Sequence, residues 1–112
     1  MIPHEHRLNL RKKQDFFNKS KRYFTDHFII FYCFIIQDQK SKLVVVVPKK
    51  NAKKRVIRSK IKRQIYAVAL PLLKENPGLE LVMVVKSDCL KITFEELTIQ
   101  IKSIFKNLVK NY

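Results

Sequence analysis

LVVVVPKKNAKKRVIRSKIKRQIYAVALPLLKENPGLELVMVV, residues 43 to 85, is the stretch on which the fold turns. It opens on a run of apolar, mostly β-branched residues, Leu43 to Val47, that stops at Pro48, and it closes on a second apolar run, Leu79 to Val85, announced by Asn76-Pro77-Gly78. Both runs suit strands. Between them the period changes: Ile57, Ile61, Ile65, Val68 and Leu72 recur at steps of four and three, which places them on one stripe of a helix. The spacing predicts a helix from Lys53 to about Glu75, with Ile57, Ile61 and Ile65 toward a sheet and Pro71 bending or fraying the last turn. Strand, long helix, strand is a crossover, and it predicts parallel pairing of the strands at 43 and 81.

Upstream, FIIFYCFII (Phe28 to Ile36) is rich in β-branched and aromatic residues and reads as a central strand, apolar on both faces. The polar break Gln37 to Lys42 then predicts an antiparallel pair between this strand and the one at 43. Leu10 to Phe17 reads as a short helix, and residues 1 to 9 as a flexible lead-in to one domain spanning 10 to 112. Downstream, Thr93-Phe94-Glu95-Glu96 matches a capping box. The helix it starts carries an apolar stripe of Phe94, Leu97, Ile101, Ile104, Phe105 and Leu108, read as core. The expected fold is therefore α+β: a single-domain α/β sandwich with a mixed sheet of about four strands, helices packed on it, and the long basic helix in a βαβ crossover.

Twenty-four Lys and Arg stand against nine Asp and Glu, a formal charge of +15. Such a charge repels itself in a compact state and is most easily understood if a polyanion offsets it. The chain is not a disordered basic tail, because 46% of it is hydrophobic and it has eight Phe with which to build a core. Its longest apolar run, Phe28 to Ile36, is about half of what spans a bilayer, so no transmembrane helix is expected. The N-terminal residues lack the apolar stretch of a signal peptide, and a cytoplasmic location is the expectation. Cys33 and Cys89 lack CxxC spacing and are read as free thiols.

The charge is concentrated. Lys49, Lys50, Lys53, Lys54, Arg55, Arg58, Lys60, Lys62 and Arg63 fall within 15 residues that contain no acid. Solvated helix faces usually mix signs; an unmixed run is the footprint of a polyanion. Arginine brings flat, forked donors suited to phosphate, so Arg55, Arg58 and Arg63 are the candidates for ordered contacts. Charge alone leaves RNA, DNA and an anionic membrane open, since phosphates look alike to it. Catalytic groups are not evident: His4, His6 and His27 lack metal-ligand spacing, the carboxylates are scattered, and a single glycine forbids a Gly-rich phosphate loop.

At this segment the sequence resembles the protein subunit of bacterial ribonuclease P. In that family a Ser- or Pro-Lys-Lys lead-in precedes a basic helix bearing Arg-Asn-Arg, one residue, then Lys-Arg; here the core stands as Arg58-Ser59-Lys60-Ile61-Lys62-Arg63. The similarity also takes in LRKKQDFF (Leu10 to Phe17), HFIIFY (His27 to Tyr32), LELVMVV and FEEL (Phe94 to Leu97), roughly residues 7 to 108 in order. Ser59 and Lys60 replace the usual Asn and Arg, Gln-Ile-Tyr-Ala follows Arg63 where the family has further basic residues, and the linker from Phe16 to Phe28 is short and lacks its usual Gly.

The resemblance implies a left-handed crossover around the basic helix, an exception to the usual hand. It also implies that the catalyst is an RNA, which removes the 5′ leader from precursor tRNA with Mg²⁺, while the protein binds the leader and stabilises the RNA. Partners would then be the catalytic RNA and the precursor, with Mg²⁺ held mainly by RNA and no small-molecule substrate. Residues 49, 50, 53 to 55, 58 to 60, 62 and 63, Ser59 among them, would contact RNA. Phe16 matches a family position that lines the leader cleft and Phe31 an aromatic on the facing strand; with Arg11, Lys12 and Lys13, which precede Phe16, they make the expected leader-binding set, since aromatics and cations combine to bind a single strand. Either ring can instead be core; Phe17 beside Phe16 is the residue expected to supply the packing side of the first helix. A non-enzymatic ribosomal or nucleoid module is the alternative that the same basic helix would serve.

Overall fold

In a computed structural model, which describes residues 4–9, 16–35 and 39–110, the sheet is organised around the last strand in the chain. The elements run α1 (Phe16–Lys19), β1 (Lys21–Phe24), β2 (Phe28–Phe34), β3 (Lys42–Val46), α2 (Arg55–Glu75), β4 (Leu79–Val85) and α3 (Phe94–Lys110), with 3-10 turns at His4–His6 and Ser87–Lys91. Strand order is β1-β2-β4-β3, antiparallel except for the parallel pair β3 and β4. The crossover and its parallel pairing are as the sequence predicts. The antiparallel pairing predicted between β2 and β3 is not: β4 lies between them. β4 is apolar on both faces and buried along almost its whole length, so the interior position is the one that removes most apolar surface from water. β1 falls in a stretch that sequence reasoning left as a linker.

Alternation sorts the sheet into two faces. Phe28, Ile30 and Tyr32 of β2, Leu43 and Val45 of β3, and Leu79, Leu81, Met83 and Val85 of β4 point to one face, where α2 and α3 cover them and form the main core. α3 contributes Leu97, Ile101, Ile104, Phe105 and Leu108, as its stripe predicts, but Phe94 in its first turn is 48% exposed. Thr93 caps that helix, its hydroxyl accepting from the Glu96 N–H at 3.2 Å.

α2 buries Ile61, Ile65, Tyr66, Ala69 and Leu73. The predicted stripe is therefore rotated: Ile57 is 40% exposed and Val68 and Leu72 are only half-buried. The buried set Ile61, Ile65, Tyr66, Ala69 and Leu73 still recurs at helical steps, one stripe displaced toward Tyr66 and Ala69. Pro71 sits inside the helix, which continues to Glu75; Gly78, at φ 86°, then turns the chain into β4, donating to Gln39 and accepting from the Ile35 N–H.

The free edge of β3 is closed by two devices. The Tyr66 hydroxyl accepts from the Val45 N–H at 3.1 Å, and the Leu8 N–H donates to the Leu43 carbonyl at 3.2 Å. Two residues of the expected flexible lead-in pack against the fold: His6 and Leu8 are buried, with His6 Nδ1 2.8 Å from the Ser41 carbonyl, while Glu5, Arg7 and Asn9 are exposed. Ser41 is itself a buried hub, its hydroxyl bonded to the Asn76 carbonyl and accepting from the Leu79 N–H. Of the helix predicted over Leu10 to Phe17, only Phe16 and Phe17 fall within the described residues.

Both cysteines are free thiols. Burial pushes the Cys89 thiol up from 9.0 to about 11, because the thiolate would lose its hydration. The unfolded chain releases this proton near 9 while the native chain keeps it, so stability should fall as pH rises from about 9 to 11. Cys89→Ala, compared with the parent in chemical unfolding at pH 8 and pH 10, should remove that part of the pH dependence; an unchanged slope would contradict it.

Candidate nucleic-acid interface

The N-terminal half of α2 buries Ile61 and Ile65 and exposes Arg55, Lys60 and Arg63, with Val56 and Ile57 exposed among them. A groove of about 640 Å³ runs along it, lined by Arg55, Val56, Arg58, Ser59, Lys62, Arg63 and Tyr66. The structure brings these residues together because they recur at three- and four-residue steps on one side of the helix. Lys60 lies outside this groove, and Lys49, Lys50, Lys53 and Lys54 project from the turn that precedes the helix. No cation of the helix or of that turn is ion-paired among the described residues, whose recorded pairs join Glu5 to Lys40 and His6. The Lys40 ammonium, hydrogen-bonded to Glu5, holds that exposed carboxyl below its ordinary range.

The start of α2 is electrostatically unfavourable in isolation. Lys54 at the N-cap makes no side-chain cap, the first turn has no acid, and cations crowd the positive end of the helix dipole. A bound anion would satisfy the open N–H groups and relieve the crowding at once. Arg58, a candidate for ordered contacts, lines the groove and is half-buried, with Nη1 donating to the carbonyls of Ala52 and Lys53.

On the opposite face of the sheet, three rows cross the strands. Cys33, Glu80 and Lys42 form a polar row, with the Cys33 thiol 3.7 Å from the Glu80 carboxylate. Arg22, Phe31, Val82 and Val44 form the next, and Phe24, Ile29, Val84 and Val46 the third. Leu8 and Phe16 pack on Val82, covering the middle row in part. The third row stays open: Phe24 is 63% exposed and Val46 is exposed too.

This face corrects the assignment of the two phenylalanines of α1. Phe16 is 4% exposed and belongs to the core of this face, whereas Phe17 is 46% exposed and stands edge-on to Phe31 with ring centroids 5.1 Å apart. A helix of four residues presents one side to the sheet, and Phe16 takes it. Phe31 is half-buried, with the Arg22 guanidinium 5.6 Å from its ring centre. Arg11, Lys12 and Lys13 lie outside the described residues. Sequence reasoning missed Phe17, Arg22 and Phe24 as surface groups; the alternation of Lys21-Arg22-Tyr23-Phe24 was the available signal, but a run of four is too short to read with assurance.

The family model described as Ribonuclease P matches residues 2–109. The chain belongs to that family. It is 31% identical over 108 residues to the ribonuclease P protein component of Pseudanabaena sp. (strain PCC 6903), which covers 93% of this chain and 91% of the relative. Its fold is that of the Staphylococcus aureus RNase P protein (TM-score 0.78, 17% identity, 92% of this chain and 94% of that one). It is equally that of the Thermotoga maritima RNase P protein (TM-score 0.78, 19% identity, 90% and 96%). The protein is thus a component of the metal-dependent ribonucleoprotein that matures the 5′ end of tRNA, and its partner is RNA. Among the described residues no three of His, Cys, Asp or Glu come together as metal ligands. No helix is long and apolar enough to cross a membrane among those residues.

Proposed function

We propose that the groove of α2 and the lysine turn before it grip the catalytic RNA, while the outer face of the sheet takes the single-stranded 5′ leader of precursor tRNA. The observation that carries this reading is the division of chemistry between the two surfaces. The α2 groove offers Arg55, Lys62 and Arg63 with Ser59 between them and no acid nearby, a set that neutralises phosphates whatever the base sequence. The sheet face offers Phe17 and Phe31 beside Arg22, with Phe24 in the next row, which suits unstacked bases more than duplex. Phe16 supports this face from beneath, and Arg11, Lys12 and Lys13, which lie outside the described residues, are taken as leader contacts on the sequence resemblance alone.

In this reading the protein lowers the cost of bringing two polyanions together and orients the leader; bond cleavage belongs to the RNA, which holds the Mg²⁺. The protein's work is positional and electrostatic, it needs no small-molecule substrate or membrane, and it takes place in the cytoplasm within the domain formed by residues 10–112.

A photoreactive phenylalanine analogue at position 17 should tag leader nucleotides in the assembled holoenzyme, and the same probe at position 62 should tag the catalytic RNA. Tagging of the catalytic RNA alone from both positions would contradict the division.

A further inference from the structure

The turn between β3 and α2 carries four lysines, Lys49, Lys50, Lys53 and Lys54, which repel one another and as a free loop would spread over many conformers. It is not free. The Pro48 carbonyl accepts from the N–H groups of Asn51 and Ala52 at 3.0 and 3.2 Å, and Ala52 is buried in the main core. Asn51 Nδ2 donates to the Val85 carbonyl, at the end of β4, at 2.9 Å. From the helix side, Arg58 Nη1 donates to the Ala52 carbonyl at 2.9 Å and to the Lys53 carbonyl at 2.8 Å.

We infer that Arg58 is a positioning residue of the RNA interface, which together with Asn51 clamps the four-lysine turn in one shape rather than serving as one more phosphate ligand. The inference rests on the reading of α2 as an RNA-binding helix. Two physical effects follow from the clamp. The lysines are held in a fixed order before RNA arrives, so less conformational entropy is lost on binding. The two carbonyl oxygens, whose partial negative charge would repel a phosphate at the helix start, are occupied by a cation. Both effects need the reach and rigidity of arginine: its planar guanidinium carries Nη1 one bond further from the backbone than a lysine ammonium and holds it in a fixed plane, whereas lysine keeps the charge and its donors on a shorter, freely rotating stem.

The test compares Arg58→Ala, Arg58→Lys, Asn51→Ala and the pair Lys62→Ala with Arg63→Ala in binding to a bacterial ribonuclease P RNA transcribed in vitro. It is run well below the melting temperature, where circular dichroism shows each variant folded. Arg58→Ala and Arg58→Lys should weaken binding alike, by about tenfold, the scale of a charged hydrogen-bond pair. Asn51→Ala should weaken it by about fivefold, and adding it to Arg58→Lys should cost little more. Amide exchange should quicken over residues 49–54 and stay unchanged in the sheet. Arg58→Lys that binds as the parent does would overturn the clamp, because charge alone would then suffice. If the Arg58 variants do not fold, Asn51→Ala decides: parental affinity overturns the clamp and weakened affinity supports it. Unchanged binding by the Lys62 and Arg63 double variant would remove the helix from the interface and the clamp with it, an outcome distinct from failure of Arg58→Lys alone.

Discussion

Alanine at Arg55, Lys62 and Arg63 together should weaken binding to ribonuclease P RNA by about a hundredfold or more at moderate salt. The slope of log affinity against log salt should become shallower by about two to three, since each neutralised phosphate contributes roughly 0.7 to 0.9. The three residues line one groove and none is ion-paired among the described residues, so their loss removes contacts to RNA without exposing a buried partner. Stability should not suffer. Removing three like charges from a chain of net +15 relieves self-repulsion, and the first turn of α2 carries its positive charge at the unfavourable end of the helix dipole. Arg58 is left in place because its Nη1 holds the Ala52 and Lys53 carbonyls, so its loss would also alter the turn before the helix. Titrations across a salt series, with thermal melts of the same variants, read both effects. A slope unchanged within error would take the groove out of the RNA contact.

The second large effect concerns the leader. Phe17→Ala should weaken holoenzyme binding to precursor tRNA by about 1 to 3 kcal/mol, the usual worth of one stacked base, and leave mature tRNA, which has no leader, bound as before. Phe17 is half out in solvent, so its truncation should cost the fold little. Phe16→Ala should do the reverse in character: it opens a cavity against Leu8 and Val82 and should cost stability of about 3 to 5 kcal/mol. Phe31→Ala lies between, since the ring is half-buried but also meets Phe17 and Arg22. Equal weakening of precursor and mature tRNA by Phe17→Ala would move the leader off this face.

The adjacent phenylalanines show where sequence reasoning ends. That α1 presents one aromatic to the sheet and one to solvent follows from helical geometry, but which one depends on the rotation of a four-residue helix about its axis, set by packing with Leu8 and with Val82, the latter 66 residues away in sequence. The same limit explains Ile57: the period of α2 was legible, the exact side of the helix that the fold buries was not. The crossover from β3 to β4 was legible because it lies in one unbroken pattern of strand, helix and strand. The place of β2 was not, because a polar break of six residues from Gln37 to Lys42 reads as a hairpin unless one knows that β4, apolar on both faces, competes for the same edge. The basic groove was visible as a run of cations without acids. The carbonyl contacts of Arg58 were hidden, since an arginine bonded to its own backbone and one lining an open groove, as Arg63 does, look the same in a string of letters.

The central claim is that this chain contributes binding and orientation while the chemistry belongs to RNA. The direct measurement is cleavage of 5′-labelled precursor tRNA at low Mg²⁺ by three samples: the purified chain freed of RNA by nuclease and denaturing chromatography, an in-vitro-transcribed bacterial ribonuclease P RNA alone, and the two combined. Accurate release of the leader by the combination, weak cleavage by the RNA alone and none by the chain alone is the result this account predicts. Metal-dependent cleavage by the RNA-free chain, or no gain when chain and RNA are combined, would contradict it.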